Sequence, residues 1–289
     1  MTVQAALLAD RSLIEVSGED RSSFLQGLIT NDIAGLASGT TRFAGLLTPQ
    51  GKILSDFLAI NAGESMLLDC QAAVAADLLK RLAFYKLRAK VELNGASARW
   101  RVAAAWGAGA ADFCAANAGI AFQDPRLASL GYRALIEAGK TPVFTASGNN
   151  YEAMRIAAAV PEGGKDYAYG DVFPHEACFD LLHGIGFKKG CYVGQEVVSR
   201  MQHRGTARTR VLAVSADAPL PVGGIEILAD GFAVGRLGSV SGTRGIALAR
   251  LDRVAEAMSK GQTLSAGGVA VTLSVPSWAS YTLAAGSAR

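Results

Sequence analysis

Short runs rich in apolar residues at 12–17, 43–47, 53–60 and 65–69, bounded by polar and glycine-containing stretches, predict strands there, those at 43–47 and 53–60 being largely apolar. Thr48-Pro49-Gln50-Gly51 separates the second and third of these runs, so they read as a hairpin. Helical spacing takes over at 72–84, where Val74, Leu78, Leu82 and Tyr85 share one face, and a shorter helix is expected over 19–28 with Phe24, Leu25 and Leu28 together. Strands are again expected at 86–93, 101–106 and 132–136, with a weak helix in the Ala- and Gly-rich tract between the last two. Further helices are expected over 151–159, stopped by Pro161; from Pro174, with Cys178, Leu181 and Leu182 along it; and from Gly194, with Val197, Val198 and Met201 on one face. Beyond Arg210 the pattern changes to short strands at 211–214, 224–228, 233–240, 245–249 and 269–275, broken by Gly, Pro and Asp with little helix, as in a small barrel. The mixture is α+β, with a boundary at 206–212, which divides the chain into 1–208 and 209–289.

The chain has 289 residues, half of them hydrophobic, which is enough for two or three modest domains. Its net charge of +3 is too small to imply nucleic acid by itself. The four cysteines, at 70, 114, 178 and 191, form no C-x-x-C pair, and His175, His183 and His203 lack ligand spacing, so neither a metal site nor a disulfide framework is expected. No apolar run reaches membrane-spanning length and the N-terminus does not read as a signal peptide, which sets the expectation of a cytoplasmic monomer without membrane contact.

Candidate chemistry concentrates in Phe187-Lys188-Lys189-Gly190-Cys191-Tyr192-Val193-Gly194-Gln195-Glu196. Gly190 and Gly194 let the backbone turn sharply on either side of Cys191. Lys188, Lys189 and a helix N-terminus near Gly194 would all favour a thiolate at Cys191; the alternative is a buried cysteine acting as a small hydrophobe. The basic run through Lys188, Lys189, Arg200, His203, Arg204, Arg208 and Arg210 suits a solvated surface or an anion, with RNA ranked last for want of interleaved aromatics.

Lys189 to Glu196, Lys-Gly-Cys-Tyr-x-Gly-Gln-Glu, resembles the signature of the YgfZ family of folate-binding proteins that assist iron–sulfur enzymes. Phe24-Leu25-Gln26-Gly27 with Thr30-Asn31-Asp32 resembles the start of that family and of the glycine-cleavage T-protein, and Tyr151-Glu152-x-x-Arg155 extends the likeness. The resemblance implies a T-protein-like fold with a C-terminal β-barrel. It implies tetrahydrofolate, or another reduced folate, as cofactor, bound by Tyr151, Asp56, Glu152 and Arg155. It further implies support of iron–sulfur cluster assembly or repair, with iron–sulfur client enzymes or assembly proteins as partners and Cys191 as working thiol. Asp56 matches the second of two aspartates on a T-protein strand, and Ser55 stands at the first. Binding therefore fits better than aminomethyl transfer, which is the second reading; a tRNA-modification factor acting through the basic run is the third.

Overall fold

The computed structural model describes residues 2–205 and 207–283. Met1 and Thr206, the latter at the lower edge of the expected boundary, lie outside them. The chain forms two compact units, one made of the chain up to Tyr151 with Leu182–Glu196, the other of Glu152–Leu181 with the chain from Val197 onward.

The first unit holds β1 (Gln4–Leu7), β2 (Arg11–Ser17), α1 (Arg21–Gln26), β3 (Thr41–Leu47), β4 (Ile53–Asn61), β5 (Ser65–Gln71), α2 (Ala72–Lys86), β6 (Glu92–Gly95), β7 (Trp100–Trp106), α3 (Ala110–Asn117), β8 (Ile120–Gln123) and β9 (Tyr132–Glu137). Five strands make one antiparallel sheet in the order β3-β4-β5-β2-β6, and four make another in the order β1-β7-β9-β8. Ile14, Val16, Leu46, Phe57 and Leu68 turn to one face of the larger sheet and pack with Leu25 of α1 and Leu78 and Leu82 of α2. In the smaller sheet Ala103, Ala105, Ala134 and Ile136 pack against Ala110 and Cys114 of α3. Period-2 alternation leaves each sheet a second face, and those second faces carry Asp69 and Arg133, whose Oδ2 and Nε lie 3.7 Å apart. The sheets are thus layered between their helices, with charge buried where a purely apolar interior is the rule.

Two further helices, α4 (Gly148–Ala157) and α5 (Gln195–Arg204), precede the strands β10 (Thr209–Ser215), β11 (Glu226–Ala229), β12 (Phe232–Ser241) and β13 (Arg244–Arg250), then α6 (Leu251–Ser259), β14 (Leu264–Ala266), β15 (Val269–Ala270) and β16 (Thr272–Ser274). The sheet of the second unit runs β15-β14-β11-β12-β13-β10-β16, and its two ends are consecutive in sequence, so it curls into a nearly closed barrel. Leu212, Ile227, Leu237, Ala247 and Leu273 fill it, together with Val254 and Ala257 of α6.

Some expectations differ. The strand expected over 86–93 is confined to β6 at Glu92–Gly95, because α2 runs on to Lys86. The helix expected from Pro174 is a series of turns, and within it Cys178 and His183 have φ of 58°, a left-handed backbone that no helix contains. α6 was not expected, although Leu251, Val254, Ala255 and Met258 stand at helical spacing, because the stretch lies among short strands broken by glycine.

Candidate functional site

Lys189 to Glu196 opens as an irregular stretch that becomes regular at α5, and it is built onto the segment that follows α1. The Lys189 ammonium is nearly buried and donates to the carbonyls of Gln26 at 2.8 Å, Ile29 at 2.6 Å and Asn31 at 2.9 Å. Those three bonds use all its N–H groups, so Lys189 holds the scaffold and has no donor left for the Cys191 thiolate. Burial drives its pKa down to about 8, with Asp32 opposing. The Tyr192 ring lies 4.9 Å below the ammonium, and its own burial lifts its hydroxyl to about 12.

The Thr30-Asn31-Asp32 loop answers in kind. Thr30 Oγ1 donates to Gly184 O at 2.6 Å and accepts from Gly45 N at 2.9 Å. Asn31 Nδ2 donates to His183 O at 2.6 Å and to Phe43 O at 2.7 Å. A side chain at Gly186 would meet Asp32 N at 2.8 Å, and one at Gly194, whose φ is +81°, would meet Thr48 O at 2.6 Å. Both glycines are therefore required for close backbone approach. The result is a loop pinned at both ends that leaves Gly190, Cys191 and Glu196 exposed and Gln195 half-buried.

Cys191 is exposed, whereas Cys70, Cys114 and Cys178 are buried. Burial pushes the Cys70 thiol up to about 12 and the Cys114 thiol to about 11, and raises that of Cys178 as well. The alternative of Cys191 as a packed hydrophobe is thereby excluded.

The residues expected to hold folate fall into two different settings. Tyr151 is 2 % exposed. Its hydroxyl accepts from Arg133 Nη2 at 3.0 Å and Arg126 Nη2 at 3.3 Å, the Arg133 guanidinium covers its ring at 5.3 Å, and Trp106 meets it edge-on at 5.9 Å. Around it a buried network runs on: Arg126 to Asp124 at 2.7 Å, Arg133 to Asp124 at 3.5 Å, and Arg11 to Asp69 at 2.7 Å. Burial opposes ionisation of Asp124, but Arg126 and Arg133 outweigh it and hold the carboxyl below the usual range. Asp69 Oδ2 and Arg133 Nη1 are buried without a hydrogen bond. Asp56 is buried on the same face of β4 as Leu58, the cross-strand partner of Asp69. Ser55, beside it, has a buried Oγ without a hydrogen bond.

Glu152 and Arg155 belong to the second unit. Arg155 Nε and Nη2 donate to Glu152 at 3.2 and 3.0 Å, Nη1 donates to Val160 O at 2.7 Å and Asp166 Oδ2 at 2.6 Å, and Nη2 also donates to Ser239 Oγ at 2.8 Å. All five guanidinium N–H groups are used. Asp166 is itself docked where β12 shifts register between Leu237 and Val240: its Oδ1 accepts from Ser239 N at 2.8 Å. A side chain at Gly238 would lie 2.6 Å from that oxygen. Tyr151 and Arg155 are thus engaged within the protein. The Tyr151 ring is already covered by a cation, and Arg155 has no N–H to give a ligand. Sequence reasoning gave no functional part to Asp69, Asp124, Arg126 and Arg133: Asp124 and Arg126 share a local turn, and only tertiary structure brings Arg133 and Asp69 to them.

Comparison with known proteins agrees with this architecture. A family model described as the GCVT N-terminal domain matches residues 4–165, and one described as the CAF17 C-terminal beta-barrel domain matches 208–281. The chain is 32% identical over 300 residues to the human "Iron-sulfur cluster assembly factor IBA57, mitochondrial", covering 94% of this chain and 84% of that protein. It is 33% identical over 234 residues to the IBA57 homolog of Mycosarcoma maydis, covering 74% of this chain and 57% of the relative, so it spans little more than half of that protein's length. The crystal structure of the glycine cleavage system aminomethyltransferase T from Bartonella henselae superposes with a TM-score of 0.74 at 15% identity over 96% of this chain and 86% of that one, which establishes the T-protein-like fold. Two expectations are corrected. The relatives bear the IBA57 name, so the chain is a relative of YgfZ rather than YgfZ itself. The relatives from Mycosarcoma maydis, human, mouse and Neurospora crassa are named as mitochondrial, which points away from the cytoplasmic setting expected from the N-terminus.

Proposed function

The chain belongs to the IBA57 family of GCVT-like proteins with a CAF17-type barrel, and from that premise we propose that it serves the assembly or repair of iron–sulfur clusters, with Cys191 as its working thiol. The observation that carries this reading is the single exposed cysteine, held on a loop that Lys189 and Gly194 fix from either side. One thiolate cannot hold a cluster, which usually takes four ligands, so the remaining thiolates come from a partner protein or from small thiols. The chain's part is to present one sulfur in a fixed place, which lowers the ordering cost of each encounter.

Reduced folate is the ligand that the T-protein-like fold suggests for this chain. Calorimetry with tetrahydrofolate tests it directly: saturable heat supports binding, and a flat titration removes the ligand. Aminomethyl transfer is not favoured, because Ser55 offers a hydroxyl where a carboxylate is needed. The tRNA-modification reading has no observation in its favour and is set aside.

The test of the thiol is twofold. In native protein, iodoacetamide should alkylate Cys191 well before Cys70, Cys114 or Cys178, read by peptide mapping. In cells lacking the endogenous factor, Cys191→Ser should fail to restore the activity of a cluster-dependent enzyme while accumulating to the wild-type level. Full restoration by Cys191→Ser would sink the proposal.

A further inference from the structure

α2 lies against the core through Leu78 and Leu82, and its outward side ends in an anomaly. Phe84 is 79 % exposed and Leu87 89 %, two of the largest apolar exposures among the described residues. A soluble helix normally turns such side chains inward and leaves charge outside. Here Tyr85 packs against the core, while Phe84 meets it only edge-on at 5.8 Å and projects outward. Leu87 caps the helix with φ 42° and ψ −108°, a backbone region that costs a branched residue of this size about 1–3 kcal/mol. Glycine would sit there without strain, yet the position presents a large apolar side chain to solvent.

Charge surrounds the pair. Lys80 stands one helical turn before Phe84, and Lys86 and Arg88 flank Leu87; none of the three makes an ion pair among the described residues. Arg81 and Lys90 add positive charge nearby, although they are paired with Asp77 and Glu19. Two exposed apolar side chains beside long cationic ones match the chemistry of an anionic bilayer surface. The apolar pair enters the headgroup boundary and the cations meet phosphates. A protein partner would call for a fixed pattern of paired charges, and Lys80, Lys86 and Arg88 are unpaired among the described residues.

We propose that the C-terminal end of α2 is a peripheral contact for anionic membranes, with Phe84 and Leu87 as the inserted wedge and Lys80, Lys86 and Arg88 as the electrostatic anchor. No helix among the described residues is long and apolar enough to cross a membrane, so the contact is of the surface kind. It does not depend on Cys191 or on cluster chemistry. Anionic lipid attracts the cations over about a Debye length, so the association is reversible and sensitive to salt.

The experiment is co-sedimentation of the full chain with phosphatidylcholine vesicles that contain or lack phosphatidylglycerol, across a salt series. Wild-type protein should sediment with the anionic vesicles at low salt and remain in solution with the neutral ones. Phe84→Ser/Leu87→Ser should weaken the anionic partition at least ~10-fold, since each change removes a large apolar area from the interface. Lys80→Ser/Lys86→Ser/Arg88→Ser should weaken it similarly and flatten the salt dependence. Every substituted side chain is exposed or half-buried, and thermal melts confirm that each variant is folded. Failure of the wild type to sediment with anionic vesicles at low salt overturns the proposal. So does equal partition of the wild type and the apolar variant. Immobilised polyglutamate serves as the probe for an acidic protein: retention of wild type and apolar variant alike, without vesicle binding, would make the patch a simple cation surface.

Discussion

Two buried arginines show how differently one residue type can be used. Arg155 directs five N–H groups to five acceptors, among them Asp166 and Glu152. Burial works against its charge, but Asp166, Glu162 and Glu152 carry its pKa well above the ordinary value. Arg133 is equally buried, yet its Nη1 has no hydrogen bond and its carboxylate neighbours stand off at 3.5 and 3.7 Å. A complete set of partners marks Arg155 as a closure of the fold. An incomplete set leaves Arg133 with charge that is only partly compensated, and its carboxylate neighbours keep other partners. Removing one partner of a buried pair leaves an uncompensated charge behind, so the number of charges each arginine alone supports decides what its loss costs.

The comparison breaks most visibly at Arg155. Arg155→Met strands Asp166 in the interior, while Glu162 keeps Lys165 at 3.6 Å, and should cost ~3–5 kcal/mol, read as a lower urea midpoint at unchanged slope. Arg133→Met leaves Asp69 with Arg11 and Asp124 with Arg126, and loses the bond to the Tyr151 hydroxyl; it should cost only ~1–2 kcal/mol. Equal losses in the two variants would refute the distinction between closed and open networks. Lys189 sharpens it on a finer scale, because its three acceptors are backbone carbonyls without charge. Its folded pKa of about 8 lies below the ordinary 10.5, so between those values the unfolded chain holds the extra proton. Stability should therefore rise with pH through that window, by at most ~3 kcal/mol, relative to Lys189→Met. The check is a set of urea titrations of both proteins from neutral pH upward, and parallel curves would show that Lys189 titrates alike in both states.

Legibility in the sequence followed the range of the interactions. The hairpin of β3 and β4 was readable because its two apolar runs and its turn residues are local, and it runs Thr41–Leu47 and Ile53–Asn61 against an expected 43–47 and 53–60. α2 was readable for the same reason, from Leu78 and Leu82 at helical spacing. The motif around Cys191 was legible as a motif, but its lysine was assigned to the thiolate, and the carbonyls that take its protons come from residues 26–31. Arg155 and Tyr151 were found through resemblance and given ligand contacts; the partners that occupy them, Ser239 and Arg133 among others, lie far along the chain. The helix expected at Pro174 failed because a left-handed backbone at Cys178 leaves no trace in apolar spacing.

The bonds from Lys189 to the carbonyls of residues 26–31 also set a schedule for biosynthesis. The bond to Asn31 joins residues 158 apart in sequence. At a synthesis rate of about 5–20 residues per second, the carbonyls of that loop wait roughly 8–30 s between emerging and meeting their donor. The strands of the first unit can pair during that interval, but the loop after α1 keeps its water until Lys189 has left the ribosome. A nascent chain halted before that point should therefore carry an open segment 26–31, accessible to proteases and chaperones, beside sheets that have already formed.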